Sequence, residues 1–187
     1  MEGGVASVND IQILQEMLSC NSKVALQQQH DKSSVELRDQ KSGGTATIRG
    51  LPQDSIVIRA EDFENPLTIF DGSKGECKRA DFVIVAIENS RKWIICIETR
   101  VRKSKSEAHI EAQLKGAQCF IGYCRCIGRS FWGFNAFLDG YEYRFVSIGH
   151  TNVHKRNMQP SRPSTWHSSP ENFLKVRGKL HHFSKLI

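Results

Sequence analysis

The chain has 187 residues, 39% hydrophobic and 25% charged, with a formal net charge of +6. That balance suits one globular domain with a hydrophobic core and excludes a disordered chain. No stretch approaches the ~18 apolar residues of a membrane helix, and MEGGVASVND at the N-terminus lacks the basic-then-apolar order of a secretory signal.

The expected setting is therefore cytoplasmic, with the six cysteines as reduced thiols. The positive charge favours a polyanionic partner. Along the chain, Asn9 to Ser22 reads as a helix: Asn9 or Asp10 can cap it, and Ile11, Leu14 and Leu18 form a stripe. Residues 27–44 are polar and carry no assignment. Thr45 to Arg49 and Ser55 to Ala60 are short β-branched runs that look like strands flanking a turn. Residues 61–79 read as loop. Ala80 to Ile87 and Lys92 to Glu98 are continuous apolar runs, as expected of strands buried on both faces. A helix is predicted over Lys105 to Ile127, capped by Ser104 or Ser106, with Ile110, Leu114, Ala117, Ile121 and Cys124 facing the core. Tyr141 to Ile148 reads as another strand. Residues 150–170 form a polar loop, and Phe173 to Leu186 fits either strand or helix. The order is that of a mixed α/β (α+β) domain covering residues 1–187.

Asp81 and Glu98 stand at the ends of the two apolar strands, where an acid adds nothing to a core. With Asn89-Ser90 as a two-residue hairpin loop, paired positions sum to 179 and Asp81 faces Glu98. Their Cβ atoms would then lie about 4.5–5.5 Å apart, and a divalent cation is the natural species to join two such carboxylates. A register slip of one residue would separate them, and simple pairing of Asp81 with Arg79 or Arg100 is the plainer alternative. Arg100 shares the face of Glu98 if the strand continues. Arg102, Lys103 and Lys105 follow it as a basic cluster suited to nucleic acid.

Asp81, an apolar strand, a short turn, a second apolar strand and Glu98-Thr99-Arg100, followed by the helix with Gln113 and Lys115, resemble the PD-(D/E)XK nuclease superfamily. The resemblance implies a restriction-endonuclease-like αβββαβ core, a central mixed sheet flanked by helices, Mg2+ or Mn2+, and cleavage of DNA or, less often, RNA. It makes Asp81 and Glu98 the metal ligands and gives a restriction, defence or repair nuclease as the expected function. Arg100 occupies the motif's lysine position. Arginine is not deprotonated in proteins, so it could position water or stabilise charge but not act as a base. Lys115 is the candidate for a relocated amine, with a solvated pair to Glu111 as its plain alternative. Gln113 lies at the edge of the buried stripe, and Glu16 is the nearest candidate for a first-helix acid. An inactive relative that binds nucleic acid or acts as a scaffold is the second reading, and a homodimer or larger assembly is compatible with either.

Other groupings point less far. Cys119, Cys124 and Cys126 near His109 lack the spacing of a structural zinc site. The aromatic run Phe131, Trp132, Phe134 and Phe137 reads mainly as core. His150, His154, His167, His181 and His182 read as solvated.

Overall fold

The computed structural model describes residues 9–40, 43–64, 66–100, 106–149 and 167–187, with Arg100 described in its backbone only. Helix α1 spans Asp10–Met17, shorter than the sequence suggests. Asn9 and Gln12 form a reciprocal capping box at its start. The chain turns extended at Leu18, and Cys20–Ser22 forms a single 3-10 turn. Helix α2 spans Glu107–Phe131 and is capped by the Ser106 hydroxyl, which accepts a hydrogen bond from the His109 N–H. Its expected stripe of Ile110, Leu114, Ala117, Ile121 and Cys124 is buried throughout.

Among the described residues, nine strands form two mixed sheets. The larger contains β4 (Ser55–Arg59), β5 (Phe82–Glu88), β6 (Arg91–Arg100), β7 (Glu142–Gly149) and β8 (Leu174–Arg177), side by side in that order. The first three are antiparallel and the last three parallel. Two parallel neighbours need a crossover, and α2 supplies the one between β6 and β7. The smaller sheet holds β1 (Gln27–Gln29), β2 (Lys32–Arg38), β3 (Thr45–Leu51) and β9 (Leu180–His182).

The five-stranded sheet is buried on both faces, which is why its central strands read as unbroken apolar runs. Val83, Val85, Ile94, Cys96 and Phe145 pack with α1 and α2. Phe82, Ile84, Ala86, Trp93, Ile95, Ile97, Val146 and Ile148 pack with Val35, Leu37, Ala46 and Ile48 of the smaller sheet. The strand runs on either side of Pro52 do not pair with each other: β3 belongs to the small sheet and β4 to the large one. Gly50, at φ 75°, is the extra residue of a bulge between β2 and β3. The bulge re-aims the strand so that Leu51 reaches the core before the chain crosses over. Residues 27–38, unassigned from sequence, form a hairpin, and the C-terminal segment resolves into two short strands with a bend between.

Candidate functional site

The turn between β5 and β6 is Asn89-Ser90, with φ of 49° and 65°. Two consecutive residues at positive φ match the twist of a tight hairpin, so the register follows from the turn. Glu88 pairs with Arg91 and Phe82 with Ile97, so paired positions sum to 179. The ladder ends at Phe82–Ile97, one residue short of the two acids, so the hairpin brings Asp81 and Glu98 to the same end. Alternation puts Glu98 on the face of Ile94 and Cys96, the side of the sheet covered by α2. Thr99 faces the other way and its hydroxyl binds Asp81, so the Asp81 side chain leaves the alternation. Glu98 is fully buried and Asp81 is 7% exposed.

Asp81 lies just before β5, and its groups tie three segments together. Its carbonyl accepts hydrogen bonds from the N–H groups of Ala60 and Glu61. Its Oδ2 accepts from the Thr99 N–H at 2.7 Å and from the Thr99 hydroxyl at 2.5 Å. The carboxylate therefore extends the β5–β6 ladder one step beyond the last strand pair. Thr99 is the residue that orients Asp81.

Gln113 approaches from α2. Its Nε2 donates to the Arg79 carbonyl at 3.1 Å, two residues before Asp81. A carbonyl can only accept, so this bond fixes which end of the amide faces Arg79. Gln113 Oε1 is left buried with no hydrogen-bond partner among the described residues. Gly116 permits this close approach: a Cβ there would stand 1.7 Å from the Lys78 carbonyl oxygen.

Lys115 follows the plainer of its two readings. It sits about 200° around the helix from Gln113. Its amine binds Glu111 at 2.7 Å and Glu171 at 2.9 Å. Its hydrogen bonds to those carboxylates hold it above the ordinary lysine range. Glu16 accepts a hydrogen bond from Trp132 Nε1 at 3.2 Å, at the far end of α2 from Ser106. Arg100 stands opposite Gly149 in the backbone ladder. The Arg100 side chain, Arg102, Lys103, Lys105 and residues 150–166 lie outside the described residues.

Parallel pairing extends the acid row in a way the sequence did not reveal. Ser147 is the register partner of Glu98, and Lys175 is the register partner of Ser147. Alternation in β7 and β8 puts both on the α2 side, since Val146, Ile148, Leu174 and Val176 pack on the other. Glu98, Ser147 and Lys175 thus form one row across three strands, with Asp81 just before β5. Lys175 pairs with Glu107 in the first turn of α2. The Ser147 hydroxyl is buried with no hydrogen-bond partner among the described residues. Neither residue carries a local signature, because its place depends on strands far apart in the chain.

Carboxylate, amide and hydroxyl oxygens suit a hard cation such as Mg2+ better than a soft one. Among the described residues, no group of three or more His, Cys, Asp or Glu could hold a metal ion. A two-carboxylate site whose ion keeps several waters matches the habits of Mg2+.

The remaining groupings separate. Phe137 is core, but Phe131 is 81% exposed and Trp132 and Phe134 are also surface residues, against the expectation of a packed aromatic cluster. A helix end exposes them where only Phe137 turns inward, onto Gly128. His167 is buried rather than solvated, with Nε2 3.0 Å from the Leu186 carbonyl. Burial pushes the Cys124 thiol up to about 12, as expected of an inert core cysteine.

The chain matches no protein-family model, no curated protein and no solved structure. The fold is mixed α+β with two mixed sheets and two helices among the described residues.

Proposed function

We propose that this chain is a metal-dependent phosphodiesterase of the PD-(D/E)XK type that cleaves nucleic acid, with DNA as its substrate. The observation that carries the reading is the register of β5 and β6, which brings Asp81 and buried Glu98 to the same end of one hairpin. The order α1, β4, β5, β6, α2, β7, with its last five elements built around one sheet, supports the αβββαβ core that the motif implies. Asp81 and Glu98 would hold Mg2+ or Mn2+. Such an ion supplies a water activated near neutral pH and neutralises charge on the phosphoryl oxygens.

The chain's own residues then have separable tasks. Thr99 fixes the rotamer of Asp81. Gln113 offers a buried carbonyl oxygen beside the Asp81 segment. Arg100 takes the place of the motif lysine as a permanent cation that positions and does not abstract a proton. Lys175, on the acid row, adds a second cation within the same face.

Cleavage assays on plasmid, single-stranded DNA and RNA with Mg2+ or Mn2+ test the reading. Wild type is expected to cut DNA only with the metal, and Glu98→Gln and Asp81→Asn to fall to background while keeping the wild-type circular dichroism spectrum. Metal-independent cleavage, or full activity in both variants, sinks it. The pairing of Lys115 with Glu111 and Glu171 favours one other reading, an inactive nucleic-acid-binding relative. That protein would bind DNA in a salt-dependent way and cleave nothing under any metal.

A further inference from the structure

Ser147 presents a puzzle of a kind that cores normally avoid. Its hydroxyl is shielded from solvent, and no hydrogen-bond partner is found for it among the described residues. A buried polar group left unsatisfied costs about 1–3 kcal/mol, so such groups are rare outside places where a ligand or water completes them. Ser147 occupies the position in β7 that is registered against Glu98, on the same face of the sheet. Strands lie about 4.8 Å apart, so its hydroxyl is a neighbour of the Glu98 side chain. Gln113 Oε1 on α2 is likewise buried and without a partner among the described residues, with its Nε2 bound to the Arg79 carbonyl two residues before Asp81. Two unsatisfied oxygens are therefore linked to the acid segments, one from α2 through the Arg79 carbonyl and one from β7 through its register with Glu98.

We propose that Ser147 is a positioning residue of the divalent-cation site, its hydroxyl holding a water carried by the ion that Glu98 and Asp81 bind. The assignment rests on the metal-dependent reading given above and adds a residue from β7 to it. A hydroxyl suits this task because it both donates and accepts, and so can serve a water whose protons point either way. Mg2+ and Mn2+ with only two carboxylates keep several waters, which need partners in the protein. The outer partners of a metal site typically contribute 10–100-fold to metal affinity. The row position also explains why the hydroxyl is tolerated: without the ion it weakens the fold, and with the ion it is satisfied.

The test measures Mn2+ binding by calorimetry and by the loss of the free-ion electron paramagnetic resonance signal, using the full chain and no substrate. Wild type is compared with Ser147→Ala, Ser147→Thr and Glu98→Gln. Ser147→Ala is expected to bind Mn2+ about 10–100-fold more weakly. Its melting temperature without metal should equal or exceed that of wild type, because an unsatisfied hydroxyl has been removed. Ser147→Thr keeps the hydroxyl and should stay within a few-fold of wild-type affinity. If wild type binds Mn2+ and Glu98→Gln does not, but Ser147→Ala binds within twofold of wild type, the role of Ser147 is overturned and the metal site stands. If Ser147→Ala melts well below wild type with unchanged affinity, the hydroxyl is merely structural. If wild type binds no Mn2+, or Glu98→Gln binds it unchanged, both the metal-dependent reading and this inference fall.

Discussion

Thr99 holds Asp81 by two hydrogen bonds to one oxygen, and only one of them depends on its side chain. Thr99→Val keeps the shape of the buried residue and removes the hydroxyl donor. A hydrogen bond to a charged group contributes about 1.5–3 kcal/mol, and urea unfolding of the variant should show a loss in that range. A loss below about 0.5 kcal/mol would mean that the backbone N–H alone fixes the carboxylate. Legibility in the sequence divides along the same line. The register of β5 and β6, which pairs Phe82 with Ile97, is readable because Asn89-Ser90 dictates a tight turn and the rest follows by counting. The grip of Thr99 on Asp81 is not readable, because it needs Asp81 to leave the regular ladder and use its side chain in place of a backbone carbonyl. Ser147 and Lys175 are invisible for a different reason: each is an ordinary residue until parallel pairing brings it into line with Glu98.

Helix α2 contains two glycines whose replacement should act in opposite directions. Gly122 has nothing within 4 Å of where a Cβ would stand, so Gly122→Ala only reduces the freedom of the unfolded chain and improves helix propensity. It should stabilise by about 0.5–1 kcal/mol, a rise of roughly 1–4 °C in melting temperature. Gly116→Ala gains the same propensity, but its Cβ would sit 1.7 Å from the Lys78 carbonyl oxygen, which is backbone and cannot swing aside. The helix must lift, at a cost of about 1–3 kcal/mol or more, and the Gln113–Arg79 bond loosens with it. Differential scanning calorimetry of the two variants decides the matter, and equal shifts would contradict the close helix–loop contact. At this scale the sequence reads well wherever an element is long and periodic. The stripe of α2 and the apolar runs of β5 and β6 are buried as expected. It reads poorly for β1 and β2, where only Val35 and Leu37, alternating with Glu36 and Arg38, mark a strand among polar residues. The division of β3 and β4 between two sheets also escapes a local reading, since adjacent strands usually pair.

The whole molecule is closed by its last residues. Strand β9 pairs in parallel with β3, from the opposite end of the chain, and Phe183 and Leu186 are buried in the core between the two sheets. His167 is locked into this closure: its carbonyl accepts from the Phe145 N–H of β7, and its ring Nε2 meets the Leu186 carbonyl at 3.0 Å. A carbonyl can only accept, so that nitrogen carries a proton. Burial is the largest influence on the ring and lowers its pKa below 6.5; the Leu186 carbonyl opposes the shift, and the charge of Arg144 adds to it. His181, half-buried against the Gly178 carbonyl, is lowered for the same first reason. With the folded pKa below that of the unfolded chain, the unfolded state binds more protons in the acid range, so stability rises with pH there. The contribution of these histidines is complete above the unfolded value of about 6.5 and is lost as pH falls from there toward the folded values. Melting temperature should therefore be flat between about pH 7.5 and 8 and decline below about pH 6.5. His167→Gln retains a side chain able to donate to Leu186 but cannot titrate, so it should show a shallower decline between pH 7 and 5.5 than wild type, measured by scanning calorimetry across that window. An identical slope in the variant would show that protonation of His167 does not open the C-terminal closure.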